Sequence, residues 1–150
     1  MSLLGHDDPK IERLHKVEVF QHADKNTLKH VAATADELTI GNGTALIEAG
    51  HRFHEAYLVL SGTANVIMSG DVIAQVGPGD MVGELALFSH SSAGATVRAT
   101  SEMEVLAIPY RELDSVFHEN PDLCFAVARQ LASRLQHMNE LYQMHINLED

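Results

Sequence analysis

The sequence predicts a mainly β fold with flanking helices, built as a jelly-roll-like antiparallel β-barrel. From about residue 37 to residue 108, short β-rich segments alternate with glycine-containing turns. On both sides of this region the apolar residues recur at helical spacing instead. Because 150 residues with 45% apolar content suit one domain with a sizeable core, we expect a single domain over residues 1–150.

Two helices are predicted before the barrel. Asp8-Pro9 is typical of a helix start, since aspartate caps helices and proline suits the first helical position. Asp24 can cap a second helix that runs to about residue 35. The apolar stripes are Ile11, Leu14 and Val17 in the first helix and Leu28, Val31, Ala32 and Ala35 in the second.

Seven strands are predicted in the barrel. They are Leu38–Ile40, Ala45–Ile47, Tyr57–Ser61, Ala64–Met68, Val72–Val76, Ala95–Thr100 and Val105–Ile108. Ser69-Gly70-Asp71 separates two of these strands by the few residues that a tight hairpin turn needs. The short, evenly spaced strands favour a small antiparallel barrel.

Residues 77 to 88 carry most of the functional information. Gly77-Pro78-Gly79 predicts a turn that Asp80 closes, and Gly83-Glu84 then begins a short apolar segment of one or two helical turns, Leu85 to Phe88. A buried helix start directs unpaired N–H groups and a partial positive charge to one point, so it favours a phosphate. The alternative is an ordinary turn glycine followed by an ordinary first-turn acid.

The segment Gly83-Glu84-Leu85-Ala86-Leu87, with Ala95-Thr96-Val97-Arg98-Ala99 about eight residues later, resembles the phosphate-binding cassette of cyclic nucleotide-binding domains. The similarity covers roughly residues 12 to 140. It extends through Gly43, Ala49-Gly50, the run from Tyr57 to Gly62, and Gly77-Pro78-Gly79-Asp80. The resemblance implies a non-catalytic regulatory domain that binds a cyclic nucleotide, cAMP more readily than cGMP, and that needs no metal or other cofactor.

The resemblance also implies which residues bind the ligand. Glu84 would accept a hydrogen bond from the ribose 2′-hydroxyl group, the backbone N–H groups of Leu85, Ala86 and Ala95 would hold the phosphate, and Thr96 would line it. The full set expected around the ligand in the cassette is Val82, Gly83, Glu84, Leu85, Ala86, Ala93, Gly94, Ala95 and Thr96.

One cassette position departs from the family pattern. The family usually has an arginine there that pairs with the cyclic phosphate; counting back from Thr96, this position is Ala93, and Ser92 stands where a proline often precedes it. A charge-assisted hydrogen bond contributes roughly 1.5–3 kcal/mol, so its loss would weaken binding by about 10- to 150-fold. The alternative is a degenerate domain that serves as a dimerisation scaffold or senses another ligand.

Two helices are predicted after the barrel. The first runs from Tyr110 to His118, and Asn120-Pro121 begins a long second helix that extends to about residue 146. One stripe of the long helix has alternating spacings of four and three, which is typical of a helix pair and predicts a homodimer. A second stripe, Leu123 and Val127, can face the barrel; a single broad core face is the alternative. We name this long helix, from about residue 121 to 146, α4. Its pairing stripe, the α4 seam, is Cys124, Ala128, Leu131, Leu135, Met138, Tyr142 and His145.

The run Arg129 to Gln136 resembles the central helix of catabolite activator-type bacterial regulators. This resemblance implies a dimer helix that also contacts the purine, with Met138 and Asn139 at the contacting positions. An asparagine amide can pair with the adenine N6 and N7 edge, although exposed helix asparagines are usually just solvated. Such regulators usually continue into a helix-turn-helix domain, for which the residues up to Asp150 leave no room, so we expect no DNA binding by this segment.

Composition and the remaining motifs limit other functions. A formal net charge of −11 disfavours nucleic-acid binding, and no apolar run could span a membrane. The single cysteine and the lack of a signal peptide favour the cytoplasm. The run Gly50 to Glu55, with His51 and His54, faintly resembles a cupin metal motif, so a cupin-like metal site is the third alternative. No nucleophile–base pair or P-loop is present, and we expect no enzyme.

Overall fold

The computed structural model describes residues 9–21, 23–83 and 93–149. Helices α1 (Pro9–His15) and α2 (Lys25–Thr34), with a short 3-10 helix (Glu18–Phe20) between them, precede the barrel. Helices α3 (Tyr110–Glu119) and α4 (Pro121–Glu149) follow it. The strands are β1 (Asp36–Ile40), β2 (Ala45–Ile47), β3 (Glu55–Ser61), β4 (Ala64–Met68), β5 (Asp71–Val76), β6 (Met81–Val82), β7 (Thr96–Ala99) and β8 (Met103–Pro109).

The eight strands form two four-stranded antiparallel sheets. One sheet has the order β1-β8-β3-β6 and the other has the order β2-β7-β4-β5. Strands that are distant in the chain therefore lie side by side, as jelly rolls require. The predicted fold class, a jelly-roll-like barrel with N-terminal helices and a long C-terminal helix, is confirmed.

The apolar residues form two cores, one on each face of the first sheet. On β3, Ala56 and Leu58 pack with the helices in what we call the helix-side core. The intervening Tyr57 and Val59 point to the opposite face, where they join the barrel core between the sheets. This alternation follows from the two-residue period of a strand, and it attaches the helices to one side of the barrel.

The turn before β6 is held by its own side chain and by β3. The N–H of Gly77 donates to Asp80 Oδ2 at 2.9 Å, and the N–H of Asp80 donates to the Gly77 carbonyl at 3.1 Å. Gly79 has a φ of +93°, which a type II turn requires at this position. Two backbone bonds between this turn and Val59, at 2.8 and 2.9 Å, then fix where β6 begins.

Several local predictions are confirmed. The hairpin between β4 and β5 turns through Ser69 (φ +52°) and Gly70 (φ +84°), a left-handed pair typical of a two-residue hairpin. Asp24 caps α2 by accepting the Thr27 N–H at 2.7 Å. Asn120 accepts the Leu123 N–H at 3.3 Å at the start of α4.

Other predicted elements need correction. Strand β6 was not predicted, because a strand of two residues has no periodicity that the sequence could show. Its pairing with Tyr57 and Leu58 makes it a strand. Strand β7 begins at Thr96 rather than Ala95. Helix α1 ends at His15, and Val17 is buried beyond it through a turn in which its N–H donates to Leu14.

Helix α4 has one buried face and a long exposed one. Leu123 and Val127 are buried in the helix-side core, as predicted. On the α4 seam, Leu135 is 60% exposed and Tyr142 is 64% exposed.

Among the helices that the structure describes, none has the length and apolar character that a membrane-spanning helix needs.

Candidate functional site

The cassette begins where β6 ends at Gly83. This glycine has a φ of +87°, and a Cβ atom built on it would lie 3.2 Å from the Glu55 carbonyl oxygen and 3.3 Å from Ile47 Cδ1. Glycine is needed here for both the backbone conformation and the close packing. The neighbouring Val82 is buried in the barrel core. The predicted contacts of Glu84, Leu85 and Ala86 lie outside the described residues, as does Ser92.

The far end of the cassette is held by the chain segment that follows β2. The N–H of Ala93 donates to the His51 carbonyl at 3.0 Å, and the N–H of Gly50 donates to the Ala93 carbonyl at 2.8 Å. The Thr96 hydroxyl oxygen accepts the Ala49 N–H at 3.1 Å. These bonds fix the backbone of Ala93 and the side chain of Thr96 in place.

The two ends of the cassette therefore meet the same stretch of chain. Gly83 packs against Ile47 at the end of β2, and Ala93 is hydrogen-bonded to Gly50 and His51, only a few residues further on. Ala93 is partly buried and packs against the barrel core, while Gly94 is exposed. The structure thus brings together the described cassette residues that the sequence singled out.

Two side chains from the helices reach the entrance of the cassette. The Tyr110 hydroxyl, at the start of α3, donates to the Gly83 carbonyl. The Arg134 guanidinium, in the middle of α4, donates to the Met81 carbonyl and lies 3.4 Å from Gln130 Oε1. Neither residue was predicted to contact the site. The one signal was that Arg134 is the last arginine or lysine of the chain.

Met138 and Asn139, the predicted purine contacts, are exposed on α4. They lie about one helical turn after Arg134, which is roughly 6 Å along the helix axis. No bond in the described residues joins them to the barrel, so a role at the ligand remains a prediction.

Arg98 cannot be counted as a phosphate ligand in place of the missing arginine. Its side chain is exposed, and its Nη1 atom donates to the Gly43 carbonyl at 2.9 Å. The guanidinium is therefore engaged on the loop between β1 and β2. Arg52, beside the Ala93-binding segment, is also exposed.

Tyr57 gives the barrel interior a weakly acidic group. Burial raises the pKa of the Tyr57 phenol, and the negative charge of Glu55 raises it further. Both effects disfavour the phenolate, so the side chain stays neutral at physiological pH. Tyr57 packs against the barrel core and can act there as a neutral hydrogen-bond donor.

The cupin-like alternative has no support in the described residues. His51 lies 3.5 Å from Glu48 on the surface, and both side chains are more than half exposed. Among the described residues, no group of three His, Cys, Asp or Glu side chains is placed to hold one metal ion. The run from Gly50 to Glu55 instead supplies the backbone groups that bind Ala93.

The fold and site together define a class of protein: a jelly-roll domain in which the described ends of a glycine-initiated cassette, Gly83 and Ala93, pack against the barrel, with flanking helices bonded to Gly83 and Met81. The sequence profile of the cyclic nucleotide-binding domain matches residues 37–120, more than half of the chain. The chain belongs to the cyclic nucleotide-binding domain family, as the cassette resemblance implied. This family comprises regulatory binding domains of the kind found in catabolite activators and protein kinase A regulatory subunits.

Curated relatives include a bacterial regulator and a fungal enzyme. The chain is 29% identical over 103 residues to the cAMP-activated global transcriptional regulator CRP of Salmonella typhimurium; the match covers 65% of this chain and 49% of the regulator. It is 26% identical over 119 residues to lysophospholipase nte1 of Aspergillus oryzae, covering 76% of this chain and 8% of the enzyme. The chain thus spans about half of the regulator and a small part of the enzyme.

Solved structures share the fold. A cAMP-bound PfPKA-R fragment has a TM-score of 0.79 at 21% identity, covering 87% of this chain and 45% of that one. The catabolite activator protein of Thermus thermophilus has a TM-score of 0.72 at 21% identity, covering 84% and 62%. The regulatory subunit of a cAMP-independent protein kinase A from Trypanosoma brucei has a TM-score of 0.76 at 20% identity, covering 90% and 48%. A triple mutant of that subunit, with one threonine replaced by arginine, has been solved bound to cAMP.

Proposed function

We propose that this chain is a non-catalytic regulatory domain that binds a cyclic nucleotide, cAMP in preference to cGMP, at the cassette. One observation carries the proposal: hydrogen bonds hold Ala93 and Thr96 to the segment that follows β2, and Gly83, at the other described end of the cassette, packs against Ile47 at the end of β2. A preorganised binding loop loses less conformational entropy when the ligand arrives. Membership of the cyclic nucleotide-binding domain family supports the choice of ligand.

In this proposal, different residues bind the ribose, the cyclic phosphate and the purine of the ligand. Glu84 accepts a hydrogen bond from the ribose 2′-hydroxyl, and the backbone N–H groups of Leu85, Ala86 and Ala95 hold the cyclic phosphate. Thr96 lines the phosphate site, in which its hydroxyl group is already oriented by the Ala49 N–H. Met138 and Asn139 complete the site over the purine.

The same geometry supports a relay to the C-terminal helix. Strand β6, which leads into the cassette, is bonded to α4 through Arg134 and to α3 through Tyr110. A shift of the cassette entrance would therefore change contacts made by both helices. The ligand can move α4 only by as much as its affinities for the two helix positions differ.

We also propose a homodimer that forms through the α4 seam, in a cytoplasmic setting. The support is the exposed apolar surface of α4, including Leu135 and Tyr142, which one chain leaves uncovered. The seam spacing suits a second helix of the same kind. The segment up to Asp150 would not itself contact DNA.

A second candidate is a degenerate domain that keeps the fold and does not bind cAMP. The observation that favours it is Ala93, which has no cationic side chain, together with the engagement of Arg98 on the Gly43 carbonyl. The Trypanosoma brucei subunit, described as cAMP-independent, offers a parallel within the fold. The cAMP-bound mutant of that subunit carries three substitutions, one of which introduces an arginine.

The proposed site is tested by titration calorimetry with cAMP and 2′-deoxy-cAMP. If Glu84 binds the ribose hydroxyl, the unmodified chain should favour cAMP by about tenfold, since a hydrogen bond to a charged group contributes roughly 1.5–3 kcal/mol. Glu84→Ala should bring the two affinities together by weakening cAMP alone. Glu102→Ala removes an exposed acid outside the cassette and should change neither affinity. Equal affinities for the two nucleotides in the unmodified chain would contradict the assigned role of Glu84.

A further inference from the structure

The lysines of this acidic chain all lie in or next to its N-terminal helices. All four, Lys10, Lys16, Lys25 and Lys29, lie within a stretch of twenty residues, whereas the whole chain has a formal net charge of −11. Such a separation of charge creates a local positive potential that attracts anionic partners. The proposed cyclic nucleotide site includes none of these lysines, since the described cassette residues are bonded to the segment after β2.

Part of this positive charge is used within the fold. Lys10 Nζ donates to the Ala35 carbonyl at 2.9 Å and to the Ala32 carbonyl at 3.3 Å, so it closes the end of α2. Arg13 pairs with Glu37 and, at 2.7 Å, with Glu104. Lys16 and Lys25 are exposed, and neither forms an ion pair in the part of the chain that the structure describes.

Lys16 and Lys25 stand at the rim of a cavity between α1 and α2. The cavity has a volume of about 340 Å³, and its apolar wall is formed by Ile11, Ala23 and Leu28. Ile11 and Leu28 are 8% and 3% exposed, so the wall is an outer surface of the helix-side core. This volume is at the lower end of the range of small-molecule pockets and is large enough for one leucine or phenylalanine side chain.

We propose that this cavity, called the α1–α2 pocket here, docks an acidic peptide segment of a partner protein. One large apolar side chain of the peptide enters the pocket, and carboxylates on either side of it meet Lys16 and Lys25. Charge complementarity supports this occupant. The apolar side chain of the peptide suits the apolar wall, and its carboxylates suit the two lysines, whereas the acidic remainder of the chain repels an acidic peptide. Glu12 also lines the cavity, and its carboxylate would accept a hydrogen bond from an N–H group of the peptide.

A concave pocket also favours a peptide over a membrane surface. A flat anionic bilayer would meet Lys16 and Lys25 but would not fill a concave cavity that Ile11 and Leu28 line. The proposal stands independently of cyclic nucleotide binding, because it uses none of the cassette residues.

The test is fluorescence anisotropy of the full chain with a labelled probe peptide of sequence Asp-Glu-Glu-Leu-Phe-Glu-Asp. We expect saturable binding that weakens as salt is raised, since exposed charge pairs are screened. A control peptide with Leu and Phe replaced by serine should bind at least tenfold more weakly, because it lacks the apolar anchor. Equal binding of both peptides, or no binding of the first, overturns the proposal.

Matched charge reversals locate the contact. Lys16→Glu with Lys25→Glu should weaken peptide binding by about tenfold, since each exposed pair changes from attraction to repulsion. Arg111→Glu with Arg129→Glu makes the same change in net charge on α3 and α4, and should leave the affinity unchanged. Circular dichroism melting curves check that both variants fold. An equal loss in both variants, or binding of phosphatidylserine vesicles without binding of the peptide, overturns the proposal.

Discussion

At the scale of single residues, the site depends on one glycine and one alanine. Gly83 is needed because a side chain there would meet Glu55 and Ile47, and because its φ is +87°. Ala93 is the position at which the sequence resemblance implies a departure from the cassette pattern. Gly83 fixes the backbone at the start of the cassette, and Ala93 is the position that we expect to set how strongly the proposed site holds an anion.

Replacing Gly83 by alanine should destabilise the domain by about 2–4 kcal/mol. The left-handed conformation costs about 1–3 kcal/mol for a residue with a Cβ, and the close contacts add an overpacking cost. Gly79→Ala is the matched control, because Gly79 has a φ of +93° but nothing within 4 Å of an added Cβ. Urea unfolding should therefore show a clearly smaller loss for Gly79→Ala. Equal losses would mean that packing around Gly83 is looser than the structure shows.

Ala93→Arg should strengthen cAMP binding by about tenfold or more, if the new guanidinium forms a charge-assisted hydrogen bond with the cyclic phosphate. The backbone at residue 93 is already held in place, since both the N–H and the carbonyl of Ala93 are bonded to the segment after β2. Ala93→Gln is the control, because it adds a long polar side chain without the charge. Calorimetry that gives the same affinity for both variants would show that the cassette has diverged at more than this position.

At the scale of elements, the start of α2 affects the stability of the fold, whereas the exposed face of α4 bears on the proposed dimer. Hydrogen bonding from the Thr27 backbone N–H lowers the pKa of the Asp24 carboxyl at the start of α2. A group whose pKa is lowered in the folded state stabilises the fold above its unfolded pKa. That contribution is lost as the pH falls through its folded pKa.

Asp24→Asn should therefore lower the urea midpoint at pH 7, and this difference should shrink as the pH falls below about 4. Asparagine keeps the capping oxygen but removes the negative charge that the helix start favours. Asp122→Asn, in the first turn of α4, provides a comparison for a first-turn acid for which no such capping bond is described. A difference between the unmodified chain and Asp24→Asn that stays constant from pH 7 to acid would contradict the capping bond.

The α4 seam is tested by Leu135→Glu. Because Leu135 is 60% exposed in the single chain, the substitution should change the stability of a monomer by no more than about 0.5 kcal/mol, yet it places a charge in the proposed helix pair. Sedimentation velocity should show a dimer for the unmodified chain and a monomer for Leu135→Glu. Gln136→Glu adds the same charge off the seam and should remain dimeric. If the unmodified chain is monomeric at high micromolar concentration, the proposed dimer through the α4 seam is wrong.

The elements also show what sequence patterns can predict. The β4–β5 hairpin, the turn ending at Asp80 and the cap at Asp24 were predictable because each depends on a few adjacent residues. Strand β6 was not, because it exists only through its pairing with β3. The contacts of Tyr110 with Gly83 and of Arg134 with Met81 join residues 27 and 53 positions apart, and no local period marks them.

At the scale of the whole molecule, both sheets and the helices contact the described ends of the cassette. The segment after β2 is bonded to Ala93, the barrel core includes Val82 and packs against Ala93, and α3 and α4 are bonded to the carbonyls of Gly83 and Met81. We propose that a bound cyclic nucleotide acts on the C-terminal helix through these contacts.

Isothermal titration calorimetry of the unmodified chain with cAMP tests the central claim, cyclic nucleotide binding, most directly, with cGMP for selectivity and 5′-AMP as the matched control that lacks the cyclic phosphate. Because backbone donors remain while the cassette cation is missing, we predict saturable binding of cAMP in the micromolar range, weaker binding of cGMP and much weaker binding of 5′-AMP. Absence of binding heat for both cyclic nucleotides at millimolar concentration, or equal affinity for cAMP and 5′-AMP, would contradict the account.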